Sequence, residues 1–557
     1  MNESVAWMEM KAPWHEGPSI YERILEWEGQ GRAVSDLTFE VPESGSSYWA
    51  AGARDGVASH HGEFEDETLR AKQITKALRD LLASSTDANF AHLHRLVTRG
   101  PILGVLDQVL GEIVNGTWVD PSSFHDFAEF VCLAATEPEW VKLGLGMIGV
   151  LSGSDDVELL QTLGQHDEFT LYAAVAIQGT VADPEAELMR LAGKVHGWGR
   201  IHVVERLAQS DQPEVLAWLM RDGFRNHVMD AYLALIVARA GELPEALEAA
   251  PEDPELLRGA ADILLALFEG GPNEDIDDYE DAAAAAAAWT HALMAQPELR
   301  TITQLRVLAE LRSFLSEAES LARDADEVGL GIDADFLWQE REQRSGWTSE
   351  RRAEVGAAVD ALLDDDRWAA LVGEALGADD PATYDQGIAG ADVLGIDTLD
   401  EDLRRLQANP GWLGGWHRVA DRSAEQAAAL DALVDLASRA LPLEEIGSGA
   451  DHRYDFGPET VAHDALAVTL EAAGESRERP WSLLDVALRS PLVRVRATAL
   501  TVLERWLELT AESGVDLGCD VAGLAARIDA WREAEVSEEL VEGLRVAEST
   551  AKKLAGA

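Results

Sequence analysis

Cysteine is nearly absent: Cys132 and Cys519 are the only two in 557 residues, and neither has a CxxC neighbour. That scarcity argues against both a disulfide framework and a thiolate metal site and fits a reducing cytoplasm. Lysine is almost as scarce. Seven (Lys11, Lys72, Lys76, Lys142, Lys194, Lys552 and Lys553) stand among 45 basic residues, against 102 Asp and Glu, for a net charge of −57. A field of that sign repels a phosphate backbone and an anionic bilayer, because both draw their affinity for proteins from basic groups. Nucleic acid and membrane are therefore not expected partners. No uninterrupted run of 18 apolar residues occurs, and the start, MNESVAWMEM, has no basic segment followed by an apolar one. Neither a membrane span nor a secretory signal is expected. Walker, nucleophile-elbow, HExxH and glycine-rich βαβ motifs are missing as well.

What is present is a globular composition, 47% hydrophobic and 26% charged. Arginine in place of lysine beside a large acidic excess points to a salt-adapted surface. Carboxylates keep such a surface hydrated, and molar salt screens their repulsion beyond about 3 Å.

Four segments can be separated by pattern. Residues 1–65 hold APWHEGPSIYERILEWEG (Ala12–Gly29), alternation over Val34–Val41, turn residues Pro42–Ser47 and then Tyr48–Ala51, which predicts one short helix and a β-hairpin. Residues 66–271 repeat. Trp140, Phe169, Trp198 and Phe224 recur at spacings near 29 residues, and Asp183-Pro184-Glu185 and Gln212-Pro213-Glu214 open intervening helices with a cap and a first-turn proline. Helix pairs of that length cannot bury their apolar faces alone, so they are expected to stack as an α-solenoid. Helices without a fixed period are expected over 272–446, and further repeat-like helices over 447–557. The whole is predicted to be an all-α protein.

Ser490-Pro491-Leu492-Val493-Arg494-Val495-Arg496-Ala497-Thr498-Ala499-Leu500 resembles the second helix of a HEAT repeat. Trp14–Gly31, with Lys194-Val195-His196-Gly197-Trp198-Gly199-Arg200-Ile201-His202, resembles bacterial and archaeal proteins called limonene hydroxylase. That resemblance implies an oxygenase and hence a redox centre. Deoxyhypusine hydroxylase, a HEAT-repeat di-iron enzyme, offers an analogy, but its His-Glu ligand dipeptide occurs here only at His15-Glu16, outside the repeats. No ligand carries over from it.

One constellation could supply a metal centre. Arg200-Ile201-His202-Val203-Val204-Glu205 and Arg225-Asn226-His227-Val228-Met229-Asp230 share the pattern Arg-x-His-x-x-acid. On helices, i and i+3 share a face, so His202, Glu205, His227 and Asp230 could converge on iron, manganese or zinc. A hydrogen-bonded ladder between repeats, or a polar ligand groove with Arg200 and Arg225, reads the same residues differently. Other candidates have plainer readings. His60-His61 beside Glu63, Glu65 and Asp66 reads as a capped polar turn, and Asn273–Asp281 as acids at the start of a polyalanine helix. Gly447–Pro458 reads as a connecting loop. Trp412 and Trp416 read as core, and Gly144 and Gly146 as close helix packing. The leading expectation is a cytoplasmic scaffold presenting a concave surface to a protein or peptide partner; the competing one is a metal-dependent oxygenase.

Overall fold

The computed structural model describes residues 10–39, 49–62, 67–116, 118, 120–151, 156–271, 273–327, 334–424, 426–453, 460–474, 479–514 and 517–555. Among them every regular element is helical, and the one β contact is an isolated bridge between Arg453 and Leu492. The protein is all-α. The hairpin expected near the N-terminus is not seen: Val34–Asp36 forms a 3-10 turn, residues 49–52 lead irregularly into a helix, and 40–48 lie outside the described residues.

Two compact units divide the described chain, the first ending at Leu394 and the second running from Gly395. The first begins with α1 (Ile20–Gly29), α2 (Ala53–His61), α3 (Thr68–Ala83), α4 (Asp87–Val97), α5 (Leu103–Val114), α6 (Pro121–Ala134) and α7 (Pro138–Gly149). It continues through α8 (Val157–Gly164), α9 (Asp167–Thr180), α10 (Pro184–Ala192), α11 (Trp198–Leu207), α12 (Pro213–Trp218), α13 (Ala231–Ala240), α14 (Leu243–Ala249) and α15 (Pro254–Glu269). Further helices from Ala282 to Leu394 complete it.

Local signals set the helix starts. Ser19 opens α1 with a capping box to Glu22. Asp120 and Asp183 each accept an amide of the first turn ahead of a proline, where the missing N–H costs nothing. Alternate helices then pack in a row: α5 on α7, α7 on α9, α9 on α11, α11 on α13 and α13 on α15. The helices between, α6, α8 and α10, lie against their neighbours in that row. Residues Trp140 to Ile148 of α7 are buried on every side, as a helix at the middle of a layer must be. Gly144 and Gly146 permit this: a Cβ at Gly144 would stand 2.7 Å from the Cys132 sulfur, and one at Gly146 3.0 Å from Leu106.

The second copy of the paired motif, Arg225–Asp230, is not helical, which corrects the sequence reading. The chain leaves α12 through a π-helical turn, Leu219–Gly223, and α13 starts only at Ala231. Asn226 explains the break. Its Oδ1 accepts from the amides of Val228 and Met229, a side-chain turn that competes with the helix. The acidic tract is tied into the fold, but Asp281, at the start of the polyalanine helix, makes no side-chain cap bond. Asp275 and Asp278 close a capping box on a 3-10 turn, and Asp277, Asp278 and Glu280 pair with Arg341, Arg344 and Arg239.

In the second unit Trp416 is fully buried and donates to the Pro410 carbonyl at 2.9 Å, so it is core. The segment Ser490–Leu500 runs into the helix Val493–Ser513. There Arg496, wholly buried, forms a bidentate pair with Glu535 at 2.7 and 2.8 Å and donates to the Ser490 carbonyl. The Gly447–Pro458 loop is tied back by Gly449, whose amide donates to the Arg489 carbonyl; residues 454–459 lie outside the described residues.

Candidate functional site

α2 lies against the row of alternate helices, and two glycines let it approach. Gly52 precedes α2 with a φ of +70°, and a Cβ there would stand 2.5 Å from the Asp167 carbonyl. A Cβ on Gly56 would stand 2.2 Å from the Trp198 ring. The Gly52 amide, at the N-terminus of α2, donates to Glu168 at 2.9 Å. A carboxylate there is favoured by the unpaired amides and by the helix dipole.

At the N-terminal end of α2, Asp55 enters a buried ionic cluster. Lys142 Nζ lies 2.8 Å from Asp55, 2.5 Å from Glu168 and 3.2 Å from Glu139. Tyr172 donates its hydroxyl to Asp55 at 2.8 Å. Burial opposes the ammonium charge, but the three carboxylates outweigh it and raise the Lys142 pKa. Burial raises Glu139 in spite of Lys142.

At the C-terminal end of α2, His60 meets α11. His60 Nε2 is 3.3 Å from Glu205 Oε1, and His202 Nδ1 is 3.5 Å from Glu205 Oε2. One ligand-type atom from each of the three lies within 4.8 Å of the others. Trp198 and Tyr232 wall the cluster, with ring centroids 5.6 and 5.1 Å from that of His60. His61 Nε2 and the Tyr232 hydroxyl share a hydrogen bond of 2.9 Å. His202 is only 2% exposed, and its Nε2 has no hydrogen-bond partner among the described residues. Burial holds His60 below the ordinary histidine range. Burial also works against the Glu205 charge, yet His202, His60 and Arg206 keep that carboxyl below its usual range.

Of the four residues paired from the sequence, then, His202 and Glu205 share a cluster, and the other two sit elsewhere. The His227 amide donates to the His196 carbonyl at 2.7 Å, and the two rings stack at 5.2 Å. Asp230 accepts from the Asn226 amide and lines a separate cleft with Asp262, Glu269 and Arg306. The proposed groove arginines are engaged. Arg200, 7% exposed, donates to the carbonyls of Ala192 and Arg225 and stacks over Trp218. Arg225 pairs with Asp262.

His60 lies in α2, not in the polar turn with His61, Glu63, Glu65 and Asp66 that the sequence offers, and the Lys142 cluster has no counterpart in the sequence reading. His60 reads there as a turn residue because its partners lie more than 140 positions away. Lys142 carries a usable signal, a lysine in a lysine-poor chain, within a helix whose one other charged residue is Glu139. No protein-family model, curated protein or solved structure matches this chain.

Proposed function

We propose that this chain is a HEAT-like α-solenoid and a cytoplasmic scaffold that presents the face of its row of alternate helices to a protein or peptide partner. The observation that carries this reading is the seat of α2. A helix from a distant part of the sequence rests on that face through a carboxylate to Lys142, a glycine over Trp198 and an imidazole to Glu205. A surface that accepts a helix in cis has the chemistry to accept one in trans. A matching partner helix would carry a small residue over Trp198 and an acid toward Lys142. It must also outcompete a tethered helix, whose effective concentration is on the order of millimolar. The net charge of −57 argues against nucleic acid as that partner. No helix among the described residues is long and apolar enough to cross a membrane.

The test is a chain in which α2 is displaced. Gly56→Leu drives a side chain into Trp198 and should free the face. A labelled peptide of residues 49–62 should then bind that variant saturably and bind the unmodified protein weakly or not at all. Absence of binding, with the helical spectrum of the variant intact, would remove the reading.

A metal-dependent oxygenase, the activity that the limonene hydroxylase resemblance implies, is the second reading. What favours it is the donor set of His60, His202 and Glu205, since two imidazoles and one carboxylate are the ligands of non-haem iron oxygenases. Oxygen consumption that requires both ferrous iron and a terpene would support it.

A further inference from the structure

The geometry points to a binding site for one divalent first-row transition ion at His60, His202 and Glu205, in which the ion fastens α2 to α11. It does not depend on the scaffold reading, and it replaces the four-residue set suggested by the sequence repeat.

The distances carry the first step. A tetrahedral ion holds imidazole nitrogen and carboxylate oxygen at about 2.0–2.2 Å, which places neighbouring ligand atoms about 3.3 Å apart. The two nitrogen–oxygen separations are 3.3 and 3.5 Å. Direct charge-assisted hydrogen bonds close to about 2.7–2.9 Å. A histidine–carboxylate pair elsewhere in this protein does so, His125 with Asp156 at 2.7 Å. Both separations leave room for an ion, and one ligand atom from each of the three residues lies within 4.8 Å of the others.

The state of His202 carries the second. Its ring is 2% exposed, and Nε2 is buried without a partner among the described residues. A ladder of hydrogen bonds between repeats would satisfy that atom, and nothing among the described residues does. A neutral imidazole has one donor and one acceptor nitrogen. Leaving either bare in a dry pocket is unfavourable. With Nδ1 on the ion, the ring's proton is fixed on Nε2, where a water retained beside the site is the acceptor it calls for. The cluster stays reachable, because the His60 and Glu205 side chains are 18% and 27% exposed.

The donor set selects the class of ion. Two imidazoles disfavour calcium and magnesium, which take oxygen ligands, and suit zinc, ferrous iron or manganese. Three protein ligands leave at least one position open. Because His60 comes from α2 and the other two ligands from α11, occupancy of the site would also fix α2 on the face it covers.

The experiment uses the full chain, purified without an affinity tag, stripped with chelator and titrated with zinc in high salt that screens the acidic surface. Cobalt serves as a second, spectroscopic probe. One ion per chain is expected, undisturbed by excess magnesium. His60→Ala and Glu205→Gln should each weaken it by 10–100-fold or more, since even residues that merely orient a ligand have effects of about that size. His60 lies at the end of α2, so its variant should keep the helical spectrum of the parent. His125→Ala, which alters a separate group with Asp126 and Glu129, should leave the affinity unchanged. No stoichiometric ion, an ion retained by both site variants, or an ion lost through His125→Ala would overturn the assignment.

Discussion

Lys142 Nζ stands 2.8 Å from Asp55, and these residues are only 2% and 4% exposed, so one tie between α2 and the helical row is an ion pair out of water. Glu139 and Glu168 reach the same ammonium. Removing one member of a buried pair costs more than the pair contributes, because the survivor keeps its desolvation penalty. Lys142→Met should therefore destabilise the protein by about 3–5 kcal/mol in urea denaturation, since it strands three carboxylates at once. Asp55→Asn leaves Lys142 with two partners and should cost less. Combining the two changes should show a coupling of at least about 0.5 kcal/mol. If the costs simply add, the cluster is not the latch that holds α2.

Asp167 gives a pH signature. Burial raises its pKa to about 6, although the Gly199 and Gly197 amides pull the other way. An unfolded aspartate titrates near 3.9. Between about pH 4 and pH 6 the folded state therefore binds more protons than the unfolded state, and this residue's contribution to stability falls as pH rises through that window. Asp167→Asn cannot ionise and keeps an acceptor for Gly199. The variant's stability relative to the parent should improve by about 1–3 kcal/mol from pH 4 to pH 7. A difference that stays flat with pH would show that the carboxyl titrates normally.

The helical class was readable because it rests on local information: amphipathic windows, the Asp183-Pro184 start that caps α10, and glycines at 144 and 146 that only close packing requires. Paired chemistry at a distance was not. The two Arg-x-His-x-x-acid segments are alike in sequence, yet Asn226 turns one into a loop while the other lies within α11. Asp222-Gly223 followed by Asn226 was the available warning, a turn signature inside a presumed helix. His60 joins His202 only because Gly52 and Gly56 let α2 sit close against Trp198 and the row, a tertiary fact with no periodic trace.

Salt should stabilise this protein. With a net charge of −57, carboxylate repulsion acts over about 10 Å at 0.1 M salt and about 3 Å at 1 M. The same screening weakens exposed pairs such as Arg190 with Glu158, but such pairs contribute about 0–1 kcal/mol each. The buried pairs at Lys142 and Arg496 are shielded from it. Unfolding free energy should accordingly rise between 0.1 and 1 M potassium chloride. A curve that is level or falls over this range would contradict a salt-adapted surface.

The last prediction separates the cluster that forms from the one the repeat suggested. His60 and His202 stack at 6.0 Å and share Glu205, whereas His227 stacks on His196 and shares none of those contacts. Residues with a common partner show interaction energies of about 0.5–3 kcal/mol, and residues without one add to within about 0.3–0.5 kcal/mol. In chelator-treated protein, His60→Ala with His202→Ala should be non-additive, because the first change already deprives Glu205 of one imidazole and loosens the pocket around the second. His202→Ala with His227→Ala should be additive. Adding zinc should widen the first coupling and leave the second unchanged, since both ligands of the first pair serve one ion. Coupling between His202 and His227 of the size expected for His60 would return the site to the two-repeat arrangement, with α2 as a bystander.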